Sequence, residues 1–233
     1  MFRRPLLHLF NKETRLLFLS SSSRTVYRSA LDNPDKLAVI DSNGRYSYSH
    51  ILSASVQLRD KLHSVTNDKQ KSAHKRIAFL CNPDASFVVA QWSCWLSRAI
   101  CIPLCKDHPQ SLLEYYIDDA KCSHLIVSPE YEQLLRPLAD KFKLPLVVIT
   151  KKDIELGQNK QKLQSSTQQQ LDIFSKNSDD ALILYTSGTT GKPKVKFPSL
   201  NFEFYQTYLL GCCSYNCYFT CTNGCHASCL EFD

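Results

Sequence analysis

Short apolar runs alternate with amphipathic segments through the middle of the chain, from residue 76 to residue 150. Each apolar run is about five residues long, which is typical of a buried strand and too short for a helix. The segments between them repeat apolar positions every three or four residues, as helices do. The predicted strands are 76–80, 100–104, 124–128 and 146–150, and the predicted helices are 83–97, 111–119 and 130–142. This alternation predicts an α/β fold, a mostly parallel sheet with flanking helices.

The segment before this alternation has a different pattern, typical of a hairpin followed by a helix. Asn43-Gly44 separates two strand-like runs and predicts a type I′ turn. Ser49 is the expected cap of the next helix, and His50 is expected on that helix's exposed surface. The predicted strands are 37–41 and 45–48, and the predicted buried face of the helix holds Ile51, Ser55, Leu58 and Leu62.

A last apolar run, residues 181–185, predicts a buried strand that leads into the stretch with the strongest chemical signal. We call residues 185–194, with the sequence YTSGTTGKPK, the phosphate motif. Its glycines permit close backbone approach, and successive N–H groups in such a loop form a concavity that favours anions. Hydroxyls and lysines add further donors and positive charge. The predicted phosphate-binding residues are Thr186, Ser187, Gly188, Thr189, Thr190, Gly191 and Lys194.

The phosphate motif differs from a Walker A loop, which needs four residues between its glycines followed by Gly-Lys-Ser/Thr. Here two residues separate the glycines, and Pro193 follows Lys192. Proline lacks a backbone N–H, so the usual strand–loop–helix cradle is not expected. A plain surface turn is the alternative interpretation, but such a turn does not require this density of donors together with lysine.

The phosphate motif resembles the signature of the adenylate-forming (AMP-binding) superfamily, which includes acyl-CoA synthetases, luciferases and peptide-synthetase adenylation domains. Three further stretches, 79–92, 102–109 and 113–115, resemble the mitochondrial malonyl-CoA synthetase type within that superfamily. The resemblance runs from about residue 26 to Lys194. It implies an incomplete N-terminal domain of the adenylate-forming fold, with a loop that holds the β,γ-phosphates of ATP. It also implies that malonate and ATP give malonyl-AMP in the full-length parent, and that coenzyme A then gives the thioester, with Mg²⁺ as the metal cofactor.

Positive charge is concentrated at the N-terminus of this 233-residue chain, whose net charge is +6. Residues 1–28 hold six lysines and arginines against one acid, Glu13, interspersed with apolar residues. This pattern predicts a mitochondrial presequence and a matrix location, with a secretory signal as the alternative. The remainder is nearly neutral, so no nucleic-acid surface is expected. No apolar run approaches the ~18 residues that a membrane span needs.

Composition changes at two further places. Residues 151–179 are rich in Lys, Gln, Ser and Asn, and predict a solvated connector with little order of its own. Residues 196–233 hold six of the eleven cysteines, five of them recurring every fourth position. A zinc site, a disulfide framework and an alternative end unrelated to the family are the three interpretations. We favour the last and assign no metal ligand. The domain prediction is a presequence (1–28), a partial AMP-binding domain (29–195) and a divergent tail (196–233).

Few other residues carry candidate chemistry. Trp92 and Trp95 are expected in the core, and the cysteines of the body, Cys81, Cys94, Cys101, Cys105 and Cys122, are expected to be mostly buried free thiols. His108 follows a strand end, where sites of α/β proteins gather, but a lone histidine there is more often a polar loop residue.

The family's later motifs, those for adenine, ribose, the hinge and the C-terminal lysine, are not recognisable after residue 195. We therefore assign no catalytic residue and expect this chain alone not to turn over. The alternatives are another acyl-CoA synthetase, or a non-catalytic isoform that acts by binding a protein partner.

Overall fold

The computed structural model describes residues 30–65, 75–155, 182–186, 194–196 and 218–219. The strands in chain order are β1 (Leu37–Asp41), β2 (Gly44–Ser47), β3 (Arg76–Leu80), β4 (Ile100–Pro103), β5 (His124–Val127), β6 (Leu146–Val148), β7 (Leu184–Thr186), β8 (Lys194–Lys196) and β9 (Tyr218–Phe219). The helices are α1 (Tyr48–Val65), α2 (Ala85–Leu96), α3 (Gln110–Asp119), α4 (Glu132–Phe142) and α5 (Lys151–Glu155), with a 3₁₀ turn at Pro129–Tyr131.

The centre of the fold is a parallel sheet in the order β4-β3-β5-β6. All three neighbouring pairs are parallel, and a helix connects each strand to the next in sequence. The predicted α/β class and mostly parallel sheet are confirmed. The sheet's first strand, β3, lies inside it, with β4 on one side and β5 on the other. The order in which strands are added to the sheet therefore switches sides at β3. The carboxyl ends of these parallel strands lie at one edge of the sheet, where ligand sites of such sheets occur.

Several predicted helix starts move by a few residues for local reasons. α2 begins at Ala85 because Asp84 is its N-cap, accepting a hydrogen bond from the Ser86 N–H. Asp84 has extended backbone angles, which an N-cap requires. α4 begins at Glu132, after a 3₁₀ turn that starts at Pro129. Proline fixes its own φ and offers no N–H, so it suits the first position of such a turn.

The two faces of the sheet bury separate apolar clusters. Alternate residues of β3 point to opposite faces, so Ile77 and Phe79 join one cluster and Ala78 and Leu80 the other. The first cluster also contains the helices α1 and α2, including both tryptophans, which are 1% and 4% exposed. The second contains α3 and α4. The predicted core position of Trp92 and Trp95 is confirmed.

The hairpin β1–β2 forms as predicted, but the prediction of a type I′ turn at Asn43-Gly44 is wrong. Asp41 pairs with Gly44, so the two loop residues are Ser42 and Asn43 rather than Asn43-Gly44. Neither loop residue has the positive φ of a type I′ turn. The carboxylate of Asp41 instead accepts hydrogen bonds from the backbone N–H groups of Asn43 and Gly44, at 2.7 and 2.9 Å. This side-chain turn replaces the backbone geometry that the sequence predicted.

The prediction for His50 is also wrong. Its side chain is 6% exposed, and its Nε2 lies 2.7 Å from the carbonyl oxygen of Ile154. A carbonyl can only accept, so Nε2 donates this bond. The α1 cap is Ser47 rather than Ser49, since the Ser47 hydroxyl accepts a bond from the His50 N–H. The predicted buried face of α1 is confirmed, with Ile51, Ser55, Leu58 and Leu62 all at 2% exposure or less.

The first five residues of the predicted connector form the helix α5. Thr150 and Asp153 stabilise its start, because the Asp153 carboxylate accepts bonds from the Thr150 N–H and hydroxyl at 2.8 and 2.7 Å. Ile154 is the buried residue of this helix. Residues 156–179, the rest of the predicted connector, lie outside the described residues, as does the predicted presequence.

The strand β9, from the predicted divergent tail, pairs antiparallel with β1 and gives the small sheet the order β2-β1-β9.

Four of the five body cysteines are buried free thiols, and Cys105 is exposed. Burial raises the pKa of the Cys101 and Cys122 thiols to about 12, so neither is a nucleophile at neutral pH. Among the described helices, none is both long and apolar enough to cross a lipid bilayer.

Candidate functional site

The strand that leads into the phosphate motif joins the free edge of the central sheet beside β4. Leu182 forms a parallel bridge with Cys101, and the Ile183 N–H donates to the Cys101 carbonyl at 2.9 Å. Residues 182–184 are buried, as the apolar run predicts. Since this strand runs parallel to β4, its carboxyl end reaches the sheet edge where ligands bind in α/β folds.

The strands β7 and β8 form an antiparallel pair around the centre of the phosphate motif. Leu184 pairs with Lys196, Tyr185 with Val195, and Thr186 with Lys194. Two predicted phosphate-binding residues, Thr186 and Lys194, are therefore opposite each other at the base of the loop 187–193. The other five, which are Ser187, Gly188, Thr189, Thr190 and Gly191, lie outside the described residues.

Tyr185 connects the strand β7 to the helix α3. Its ring stacks on that of Tyr116, with centroids 4.2 Å apart and an angle of 23° between the planes. Its hydroxyl donates a 2.7 Å hydrogen bond to the Asp119 carboxylate. Burial, and then the bond to the negative Asp119, raise the pKa of Tyr185 well above its usual range, so it stays protonated. Tyr116 and Asp119 are not marked by any motif in the sequence, although their three-residue spacing puts them on one helix face.

His108 follows β4 at the same edge of the sheet. Its ring meets the Tyr116 ring edge-on, with centroids 5.6 Å apart. Its Nδ1 atom is buried and finds no hydrogen-bond partner among the described residues. His108 is thus half-buried rather than a freely solvated loop residue, and it belongs to the same aromatic group as Tyr185.

A second polar group lies at the carboxyl ends of β3 and β5. The Ser128 hydroxyl accepts a bond from the Asn82 N–H at 3.2 Å and lies 3.4 Å from the Ser86 hydroxyl. Asp84 accepts from the N–H and hydroxyl of Ser86, and burial raises its pKa above the usual range despite those bonds. These groups satisfy one another, which is the behaviour of a structural cap and not of a site awaiting a ligand.

The donor set of the phosphate motif fits a polyphosphate. It combines glycines, hydroxyls and lysines, all suited to anionic oxygen. It contains no carboxylate, so a Mg²⁺ ion, which prefers carboxylate and phosphate oxygens, would need ligands from elsewhere. Within the described parts of the chain, no group of three or more His, Cys, Asp or Glu could hold a metal ion. The cysteines proposed as an alternative zinc site in the tail lie outside those parts.

Residues 26–195 match the model of the AMP-binding enzyme family. The chain is 36% identical over 179 residues to the mitochondrial malonate–CoA ligase ACSF3 of Homo sapiens, covering 75% of this chain and 30% of that protein. It is 27% identical over 205 residues to the malonate–CoA ligase of Arabidopsis thaliana, covering 80% of this chain and 32% of that protein. The chain thus spans about a third of the length of these relatives.

Solved structures agree on the fold. ATP-bound MatB from Rhodopseudomonas palustris has a TM-score of 0.58 at 21% identity, covering 77% of this chain and 35% of that chain. The anthranilate CoA ligase AuaEII in complex with anthranoyl-AMP has a TM-score of 0.62 at 17% identity, covering 81% and 35%. The family model covers well over half of the chain and the solved structures share its fold, so the chain belongs to the AMP-binding enzyme family.

Proposed function

We propose that the phosphate motif holds the β,γ-phosphates of ATP in an acid–CoA ligase of the malonyl-CoA synthetase type. The observation that carries this proposal is the position of β7, which delivers the motif to the carboxyl edge of the parallel sheet. The identity to malonate–CoA ligases supports the acid substrate, and the similarity to ATP-bound MatB supports the nucleotide.

The residues of the motif would act on phosphate by position and charge. Gly188 and Gly191 let the backbone approach the anion, and the hydroxyls of Thr186, Ser187, Thr189 and Thr190 donate to its oxygens. Lys194 adds a positive charge at the base of the loop. Bound ATP would supply an α-phosphate that a carboxylate attacks, forming an acyl-adenylate with pyrophosphate as leaving group. Charge stabilisation on the leaving phosphates is the contribution that this chain would make.

Binding and turnover should separate in this chain. The motifs that complete the family's site are not recognisable in residues 196–233, and one phosphate loop stabilises charge from one direction only. We therefore infer that the 233-residue chain binds nucleotide but does not by itself form an acyl-adenylate or, with coenzyme A, a thioester. A radiochemical assay with malonate, ATP, Mg²⁺ and coenzyme A should give no product above a blank without protein, and steady turnover would contradict this.

The proposed location is the mitochondrial matrix. The basic, acid-poor sequence of residues 1–28 supports it, and four of the related ligases carry the description mitochondrial. A fluorescent protein fused after residue 28 should enter mitochondria and be found in the matrix, the compartment that the inner membrane encloses. Retention in the cytosol or entry into the secretory pathway would contradict the proposal.

Calorimetry with ATP and Mg²⁺ tests the phosphate site. The wild-type chain should release heat at millimolar nucleotide, and Lys194→Ala should weaken binding by about tenfold to a hundredfold, since a hydrogen bond to a charged group contributes about 1.5–3 kcal/mol. Lys121→Ala is the matched control, because Lys121 is an exposed lysine that pairs with Asp118 on the surface. No heat from the wild type would overturn nucleotide binding. Equal affinity of wild type and Lys194→Ala would overturn the assignment of the motif.

A further inference from the structure

The hairpin β7–β8 has few connections to the central sheet. Within the described backbone, hydrogen bonding to β4 consists of the contacts of Leu182 and Ile183 with Cys101. Beyond that point the described partner of β7 is β8, from the same hairpin. Two antiparallel strands of three residues each are marginal without further packing. Something other than the ladder must therefore set the direction in which the hairpin leaves the sheet.

Tyr185 makes the contacts that can set this direction. It lies in the middle of β7, directly before Thr186, the first hydroxyl of the proposed phosphate site. Its ring stacks on Tyr116, which is 5% exposed and fixed in the cluster under α3. Its hydroxyl reaches Asp119 one turn further along the same helix. A second ring of α3, Tyr115, meets it edge-on with centroids 6.4 Å apart.

We propose that Tyr185 is a positioning residue, which Tyr116 and Asp119 hold against α3 so that the loop 187–193 presents its donors to the phosphates. This proposal rests on the proposed function and adds to it two residues outside the phosphate motif. A hairpin free to swing would hold the loop in its binding geometry for only a fraction of the time. The apparent dissociation constant for ATP rises in inverse proportion to that fraction.

The stacked ring should matter more than the hydroxyl. Stacking on the buried Tyr116 removes apolar surface from water, and such aromatic pairs contribute beyond their buried area. The hydrogen bond to Asp119 lies in an exposed setting, where water competes for both partners. Removing the ring should therefore weaken ATP binding more than removing only the hydroxyl.

Two substitutions in the 233-residue chain separate these contributions. Tyr185→Leu removes the stack and the bond, and we expect ATP with Mg²⁺ to bind about tenfold more weakly by calorimetry, which is the effect of ~1.4 kcal/mol. Tyr185→Phe keeps the ring and should restore affinity to within about threefold of wild type, which corresponds to less than 1 kcal/mol. Tyr131→Leu is the control, since Tyr131 is a half-buried tyrosine after β5 that belongs to the same apolar cluster.

Hydrogen exchange reports on the hairpin without requiring nucleotide. Backbone amides of residues 184–186 and 194–196 should exchange faster in Tyr185→Leu than in wild type or Tyr131→Leu, while the urea midpoint of the sheet stays unchanged. Unchanged exchange in Tyr185→Leu would overturn the positioning role. So would faster exchange with unchanged ATP affinity, because the hairpin's direction would then not matter for binding.

The two proposals fail in different ways. If the wild-type chain releases no heat with ATP, nucleotide binding fails, and the positioning role fails with it even where exchange in the hairpin responds to Tyr185→Leu. If wild type binds ATP and Lys194→Ala weakens binding, but Tyr185→Leu binds as wild type does, only the positioning role fails. A weakened Tyr185→Leu rescued by Tyr185→Phe, with a neutral Tyr131→Leu, supports both.

Discussion

Asp41 joins the hairpin β1–β2 to the start of the helix α2, and its removal should destabilise the fold. One carboxylate oxygen accepts hydrogen bonds from the N–H groups of Asn43 and Gly44, at 2.7 and 2.9 Å. The other accepts a 2.9 Å bond from the N–H of Ala85, the first residue of α2. Ala85 is completely buried. Replacing Asp41 by Ala therefore leaves a buried helix-start N–H without its partner and removes the side-chain turn of the hairpin.

The size of the effect follows from these three bonds. Hydrogen bonds to a charged acceptor contribute about 1.5–3 kcal/mol each when buried, and loss of a helix cap costs about 1 kcal/mol. Water can replace the acceptor at the exposed Asn43, so that bond should contribute little. The Ala85 bond and the partly buried Gly44 bond then give an expected loss of about 2–4 kcal/mol in the free energy of unfolding for Asp41→Ala.

Urea unfolding followed by tryptophan fluorescence measures this loss. The chain has two tryptophans, and both are buried in the cluster that α2 contributes to. The midpoint should fall while the dependence on urea concentration stays the same, as expected for a change in stability alone. Asp118→Ala is the control, because among the described residues its carboxylate forms an exposed pair with Lys121, whose loss should change stability by less than about 0.5 kcal/mol.

A loss below about 0.5 kcal/mol in Asp41→Ala would refute this reasoning. It would mean that the hairpin and α2 are not joined through this carboxylate. Asp41→Asn gives a finer test, because an amide has one acceptor oxygen and one donor nitrogen in place of two acceptors. It can satisfy one side of the junction only, so its stability should lie below wild type and at or above Asp41→Ala.

The remaining predictions concern three other junctions. His50→Leu should cost about 1–3 kcal/mol in urea unfolding, since the buried carbonyl that His50 binds loses its donor; an unchanged midpoint would contradict this. Burial alone would raise the pKa of Asp153, but its bonds to Thr150 and its nearness to a lysine lower it. Asp153 should therefore stabilise the fold above pH ~4, with the effect lost as pH falls through the lowered pKa. The stability difference from Asp153→Asn should shrink below pH 4, and a constant difference would contradict the shift. Phe219→Pro should disrupt the pairing of β9 with β1. Because successive N–H groups of a strand face opposite neighbours, at least one of the amides of Val39 and Ile40 should then exchange faster than in wild type. Unchanged exchange at both amides would contradict the pairing.

The parallel sheet was predictable because its signal is local. Each strand is a short apolar run between helices, and burial on both faces makes such runs nearly continuous in apolar residues. The same rule predicted a buried strand before the phosphate motif, but not its place beside β4. Boundaries moved where a single side chain or a proline set the start of a helix, as Asp84 and Pro129 do.

Long-range polar contacts were not predictable from the sequence. His50 is buried against its partner, a carbonyl oxygen that lies 104 residues away in the chain. Nothing in the helical pattern of α1 indicates so distant a contact. The prediction of a type I′ turn was wrong because the Asp41 carboxylate accepts hydrogen bonds from two N–H groups of the turn. It also accepts one from Ala85, 44 residues away at the start of α2. The partners of Tyr185 had no signal of their own either, since Asp119 is 66 residues distant in the chain. In each case one hydrogen bond outweighs a local propensity.

The phosphate motif depends on a small part of the fold. Its strand joins the sheet at Cys101 and packs against Tyr116 and Asp119, all of which lie in the single unit made of β4 and α3. Residues 100–119 therefore provide both the edge on which the motif is placed and the side chains that orient it. Binding of phosphate should follow the integrity of this unit, whereas activation of a carboxylate needs groups approaching the α-phosphate from other directions. A substitution of Tyr116 that removes its ring but leaves the sheet folded should consequently weaken nucleotide binding, although Tyr116 does not belong to the motif itself.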